Sequence, residues 1–444
     1  MQKRVDVLHG SIAQALLFLM VPILICGIFQ QICGMIDAIV VGRYVGSAGV
    51  AVIGGSCSTL ITLFTNVSSN MILGCMTVIA FLYGKDQSRT AEGVNTSMFL
   101  TAICAVCFTG AYILAAEPIL RLLQVPEELM AMSVSYLRLY SLAFVPYALF
   151  QLAVTSFRAF GETKAPTELL IGSFLMNIAL DLLFVGVFHL QQNGIAYAFL
   201  LTQFLFAAAS LYALAKAYMI PLFQERPDQE VMARILKIAV PACIASSFYS
   251  LTNLIIQSAM NMLGSETIAA FAIHNKIENI YWIIMGGFGV AITTVISQNC
   301  GAKSEQRVRK GIETGGIICF ALTAAVSLCF FLFNHQLVAL FTNEANTQIL
   351  ASGILALMTP CYFFYPLLET ISDSLKCLGK ASQSTVITLI SICCVRIVWI
   401  LLFVRDNITL DGILLAYPIS WFCASILFVL YYLRKKKSLL KSIA

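Results

Sequence analysis

Runs of 20 or more apolar residues recur from one end of this chain to the other. Each is long enough to cross about 30 Å of hydrocarbon at about 1.5 Å per residue. Inside a bilayer only helices and closed barrels satisfy every backbone polar group. Barrel strands would alternate over about 10 residues, and no such alternation is visible. The spans are therefore helices. Composition agrees, because 59% of the 444 residues are hydrophobic and only 11% are charged. Soluble domains carry about 25% charged residues, so this chain has too few to cover a surface facing water.

Twelve spans are expected, at about 12–41, 50–83, 94–115, 129–157, 166–188, 194–219, 234–262, 267–299, 312–333, 347–376, 384–404 and 411–433. An even number places both termini on one side. The first run is too long for the apolar core of a signal peptide, and no small-residue cleavage site closes it. One set of loops holds 21 of the 27 Lys and Arg residues, among them Lys85, Arg89, Arg158, Lys164, Arg307, Lys376 and the run Arg434–Lys437. The opposite set holds three, Arg43, Arg121 and Arg405, and Arg138, Lys276 and Arg396 fall within spans. That bias predicts cytoplasmic termini in a multi-pass protein of the plasma (inner) membrane. The net charge of +5 sits in short loops between spans and does not suggest a nucleic-acid partner. The cysteines lie almost entirely within spans. Cys104 and Cys107, in the middle of one, read as apolar filler.

A shift of 218 residues brings the halves into register. Gly46-Ser47 meets Gly264-Ser265, Gly93 meets Gly311, Gly161 meets Gly379 and Gly194-Ile195 meets Gly412-Ile413. With a one-residue slip Pro22 meets Pro241, and these two are hinge candidates. The pattern predicts a duplicated six-helix unit: lobes at 1–220 and 232–444 joined by a cytoplasmic linker at 221–231. Units of six spans insert with the same orientation, so an axis along the membrane normal relates them, and a site between them can open to either face by rocking.

The acidic residues well inside the spans break that symmetry, and a charge there costs about 2.5–3.5 kcal/mol. Asp37 and Asp181 are expected at similar depth in the outer half of the first lobe, with Asn177 one turn below Asp181 on the same face. Two carboxylates with amide and hydroxyl oxygens suit one small cation; alternatively one carboxyl holds a proton. Their second-lobe equivalents are Ile255 and Trp399. The second lobe has Glu369 and Asp373 instead, four apart on one face, where the first has Gln151 and Thr155. Arg396 lies at a depth close to Glu369, which predicts an ion pair. Lys276 and Glu278, two apart, do not share a helix face. These polar residues are candidates to meet substrate. No GxxxxGK[ST] loop, no filter-like TVGYG and no Arg-rich sensor is present, so the sequence favours neither an ATP-driven pump nor a channel.

Several stretches together resemble the multidrug and toxic compound extrusion (MATE) family, prokaryotic type. They are Met35-Ile36-Asp37-Ala38-Ile39-Val40-Val41-Gly42-Arg43, the turn Arg158–Lys164, Asn177 with Asp181, Ala269-Ala270-Phe271, Lys276-Ile277-Glu278-Asn279, and Ser297-Gln298-Asn299-Cys300-Gly301-Ala302 followed by Arg307 and Arg309. The resemblance implies a two-lobe antiporter, not an enzyme, that exports organic, often cationic compounds against inward sodium ions or protons. By the same resemblance Asp37, Asn177 and Asp181 match a first-lobe cation site, to which Thr155 and Thr202 add oxygens, and Asp373 matches an acidic position of the second lobe. Some members carry a glutamate in the seventh span where this chain has Tyr249 and Ser250, which disfavours a second-lobe sodium site. The expectation is a monomer in the lipid bilayer with no cofactor beyond the coupling ion, H+ or Na+. The competing reading, a lipid-linked oligosaccharide flippase, would want several cationic residues in its cavity, whereas the intramembrane charges here are mostly acidic.

Overall fold

A computed structural model describes residues 6–123, 125–222, 226–342, 344–404 and 408–441. Among them the chain is helical without strands. In order the helices are α1 Ile12–Tyr44, α2 Ser47–Gly54, α3 Ser56–Lys85, α4 Thr90–Leu122, α5 Glu127–Ser141, α6 Phe144–Ala159, α7 Lys164–Asp181, α8 Gln191–Tyr218 and α9 Gln229–Asn261. They continue as α10 Ser265–Gly301, α11 Glu305–Leu332, α12 Asn334–Ala339, α13 Ala345–Met358, α14 Tyr365–Cys377, α15 Ala381–Thr388, α16 Val395–Trp399, α17 Leu410–Leu414 and α18 Ala416–Lys441. Among the described residues eleven helical segments are long and apolar enough to span a membrane, and α5 with α6, bent by 42°, completes the expected twelve if it is one span. Several spans are jointed: π-helical turns follow α7 at Leu182–Val187 and flank α16, and a 3-10 turn joins α13 to α14.

Packing divides the chain into two units, Val21–Ala239 and Asp6–Met20 with Val240 onward. In the first, α6 lies against α3, α4 and α8; in the second, their counterparts repeat the pattern, with α14 against α10, α11 and α18. The backbone repeats too. The positive-φ glycines among the described residues are Gly46 (86°), Gly161 (80°), Gly264 (91°) and Gly379 (74°), two pairs at the 218-residue shift. A left-handed turn is open to glycine at little cost, so the duplicated glycines mark duplicated turns. The π-helical turn at Leu182–Val187 likewise has its counterpart at Ile400–Val404.

The sequence placed the boundary between lobes in the loop at 221–231, whereas packing cuts inside α1 and α9, next to Pro22 and Pro241. Helices this long can leave one unit and enter the other without a loop. The beginning of α9 stays with the first unit because Gly74 of α3 lets it come close: a Cβ at Gly74 would meet Ala239 Cβ at 2.9 Å and its amide nitrogen at 3.1 Å. Linker residues are held there as well, since Asn95 donates to Pro221 O at 3.2 Å and the Asp228 amide to Thr96 Oγ1 at 3.0 Å. In the second unit the segment before α1 is tied down by the asparagine and arginine singled out in the sequence. Arg307 Nη2 donates to the carbonyls of Val7 (2.9 Å) and Gly10 (2.8 Å), and its Nε donates to Asn299 Oδ1 (3.0 Å).

Candidate functional site

Asp37 projects from α1 and Asp181 from the last turn of α7, and their carboxyl groups face one another. Asp181 is fully buried. Its Oδ2 accepts from Asn177 Nδ2 at 2.7 Å, one helical turn earlier. The other oxygen, and Oδ1 of Asp37, are buried without a hydrogen-bond partner among the described residues. Two carboxylates brought together in an apolar surrounding repel each other unless a cation or a proton joins them. The arrangement thus has an unmet demand for one positive charge, and the free oxygens point to where it would sit.

A cavity of about 320 Å³ opens beside the pair, lined by Asp37, Asn177, Gly34, Gly54, Ser58 and Tyr140 among others. Its wall is stiffened by Tyr140 stacked on Phe199, with ring centroids 4.6 Å apart. Gly34 and Gly54 stand on it without side chains, a Cβ at either meeting nothing within 4 Å, and at the 218-residue shift they correspond to Thr252 and Ala272. Gly55 breaks the helix between α2 and α3 there, while its counterpart Ile273 lies inside the unbroken α10. Ser58, Tyr140 and Phe199 were not foreseen, because a tyrosine or serine in an apolar run carries no mark that separates lining from filler.

The sequence-derived triad Asp37, Asn177 and Asp181 is thus brought together. The two threonines are not residues of the cavity wall. Thr202 is buried, its hydroxyl without a partner among the described residues, and Thr155 lies on α6. Gln151, one turn before Thr155, meets Tyr147 instead.

In the second unit Glu369 accepts from Tyr365 Oη at 2.8 Å, and Asp373 pairs with Lys376 at 2.8 Å. Both carboxylates press on α10 at Gly289, where a Cβ would stand 2.9 Å from Asp373 Oδ2 and 3.4 Å from Glu369 Oε1. The expected ion pair between Glu369 and Arg396 is not formed. Arg396 is fully buried and donates from Nε to Ser420 (2.9 Å) and from Nη1 to Asn253 (3.1 Å). The Tyr417 and Tyr249 rings lie 4.5 and 5.0 Å from its guanidinium carbon. Similar depth was a poor guide, because the π-helical turns on both sides of α16 change the angular register and direct Arg396 toward α9 and α18. Glu278 is buried beside His274, Trp282 and Tyr362, whereas Lys276 is exposed near the Phe341 ring, so the two do take different faces.

A family model described as MatE matches residues 22–183 and 241–402. Among curated proteins, the probable multidrug resistance protein YoeA of Bacillus subtilis is 25% identical, covering 98% of this chain and 96% of its own length. The probable multidrug resistance protein NorM of Thermotoga maritima is 23% identical over 87% of this chain and 84% of its own. Among solved structures, the outward-facing conformation of a multidrug resistance MATE family transporter of the MOP superfamily superposes with a TM-score of 0.90 at 20% identity, covering 99% of both chains.

Proposed function

The chain belongs to the multidrug and toxic compound extrusion family, and from that premise we propose that it is a secondary antiporter exporting organic cations in exchange for a proton or a sodium ion by alternating access. The observation that carries this reading is the facing pair Asp37 and Asp181, each with a buried oxygen that nothing among the described residues satisfies, beside a cavity. Occupancy by one cation changes the local charge by one unit, and a conformational equilibrium responds to any ligand that favours one of its states. Asn177 orients Asp181, and the Thr202 hydroxyl is close in sequence register to the wall residue Phe199. In the second unit the buried Glu278 and the half-buried Glu369 have no lysine or arginine within ion-pair distance among the described residues and give a cationic cargo its complement, while Arg396 bonds the neutral Ser420 and Asn253. The same reading places the basic loops in the cytoplasm and the protein, as a monomer without a prosthetic group, in the plasma membrane.

The test is export of a fluorescent organic cation with sodium and pH gradients imposed separately, wild type beside Asp37→Asn. Wild-type export under one gradient, lost in the variant, supports the reading and identifies the ion. Export indifferent to both gradients and to Asp37 defeats it.

A further inference from the structure

Away from the carboxylate pair, the first unit has an open crevice of about 780 Å³ between the last turns of α4, helix α5 and the start of α8. It lies at the end of α4 opposite the basic residues Lys85 and Arg89. A departure from helical geometry at Ala115 (φ −111°, ψ 16°) and the missing amide of Pro118 splay the end of α4 and open it. Arg138 stands in this crevice, exposed on a membrane-spanning segment, and its Nε donates to Ile113 O at 3.0 Å. No carboxylate among the described residues comes within ion-pair distance of Arg138, and a lone guanidinium in hydrocarbon is costly enough to demand an anion. Nearer the rim, Arg121 is held by Glu117 at 3.0 Å and Glu127 at 3.6 Å, a triad with one negative charge in excess.

The crevice does not end there. Tyr197, half-exposed on α8, also borders a second groove of about 680 Å³ lined by Phe184, Leu190, Leu200, Leu201 and Phe204. The levels of these features follow from one bond. Asn193 Nδ2 donates to Ser135 Oγ at 2.9 Å, which sets α5 and α8 side by side. Arg138 and Tyr197 are then each about one turn deeper, Leu201 and Phe204 deeper still, and Glu117 with Glu127 toward the rim.

We propose that this paired crevice and groove bind one phospholipid with an ethanolamine headgroup: its phosphate on Arg138, its ammonium on the Glu117–Arg121–Glu127 triad, and an acyl chain along Leu201 and Phe204. The order of the three parts from rim to membrane interior, negative, positive, apolar, matches the order ammonium, phosphate, chain in such a lipid. A phosphoglycerol headgroup leaves the acidic rim unmatched, and a choline lacks the N–H donors that charge-assisted hydrogen bonds to carboxylates need.

Native mass spectrometry of the full-length protein, titrated with ethanolamine, choline and glycerol phospholipids of identical chains, tests this. The ethanolamine lipid is expected to bind about tenfold tighter than the other two, as for a charged hydrogen bond gained. Arg138→Gln removes the partner of the phosphate that all three lipids share and weakens all of them, whereas Glu117→Gln with Glu127→Gln removes the acceptors of the ammonium and abolishes the preference. Ala131→Trp, which fills the exposed crevice wall without changing any charge, also abolishes the preference and decides the matter should the charge-removing variants lower the melting temperature. Equal binding of all three headgroups, or a preference that survives Ala131→Trp, overturns the proposal. So does glycerophosphoethanolamine without chains displacing the lipid at equal concentration, since the groove would then contribute nothing.

Discussion

At Asp181 a single amide decides how the carboxylate is presented. Asn177→Ala removes the 2.7 Å bond and is expected to weaken cation coupling about tenfold, since a hydrogen bond to a charged group is worth about 1.5–3 kcal/mol. The half-maximal ion concentration for driven export is the quantity to measure; an unchanged value means that Asp181 is positioned by its helix alone. Arg396 gives the opposite lesson. Its partners are neutral, so a double-mutant cycle of Glu369→Gln with Arg396→Gln should show a coupling below about 0.5 kcal/mol, as for independent sites. A cycle of Arg396→Gln with Ser420→Ala should exceed it. Reversal of that ranking in thermal-unfolding measurements would restore the ion pair that depth alone suggested.

For the helices, close approach is the controlling variable. Gly74→Val sets a side chain 2.9–3.1 Å from Ala239 and is expected to cost about 1–3 kcal/mol, as overpacking does. Gly316→Ala on α11 meets nothing within 4 Å and should be neutral or slightly stabilising. Melting temperatures of the two variants in one detergent separate these outcomes, and equal shifts would show that α9 does not rest on Gly74. The jointing of the helices matters as much as their contacts. The π-helical turn directly after Asp181 and those on either side of α16 each change which face a following residue presents. A straight 3.6-residue period therefore placed Asn177 and Asp181 correctly, because both precede the turn, and misplaced Arg396, which sits between two.

Across the whole molecule the two units repeat their turns but not their chemistry. Gly161→Ala and Gly379→Ala force alanine to positive φ in equivalent turns and should cost similar amounts, about 1–2 kcal/mol each. A large difference in the two melting shifts would mean that the repeat is one of sequence more than of structure. Arg307→Ala should release the segment ahead of α1, read as faster amide exchange at 6–12 with little change in the rest of the second unit.

The sequence by itself determined the solvent, the apolar spanning segments and the duplication, and it marked Asp37 and Asp181, because long apolar runs, a fixed residue offset and charges in hydrocarbon are properties that no tertiary arrangement can hide. It also marked Asn299 and Arg307, though not what they hold. Tertiary structure alone decided where the units divide, which aromatic residues wall the cavity, and which partners Arg396 takes. Those depend on the angular register of each helix, and a π-helical turn or a glycine contact resets that register over a few residues without leaving a periodic trace in the chain.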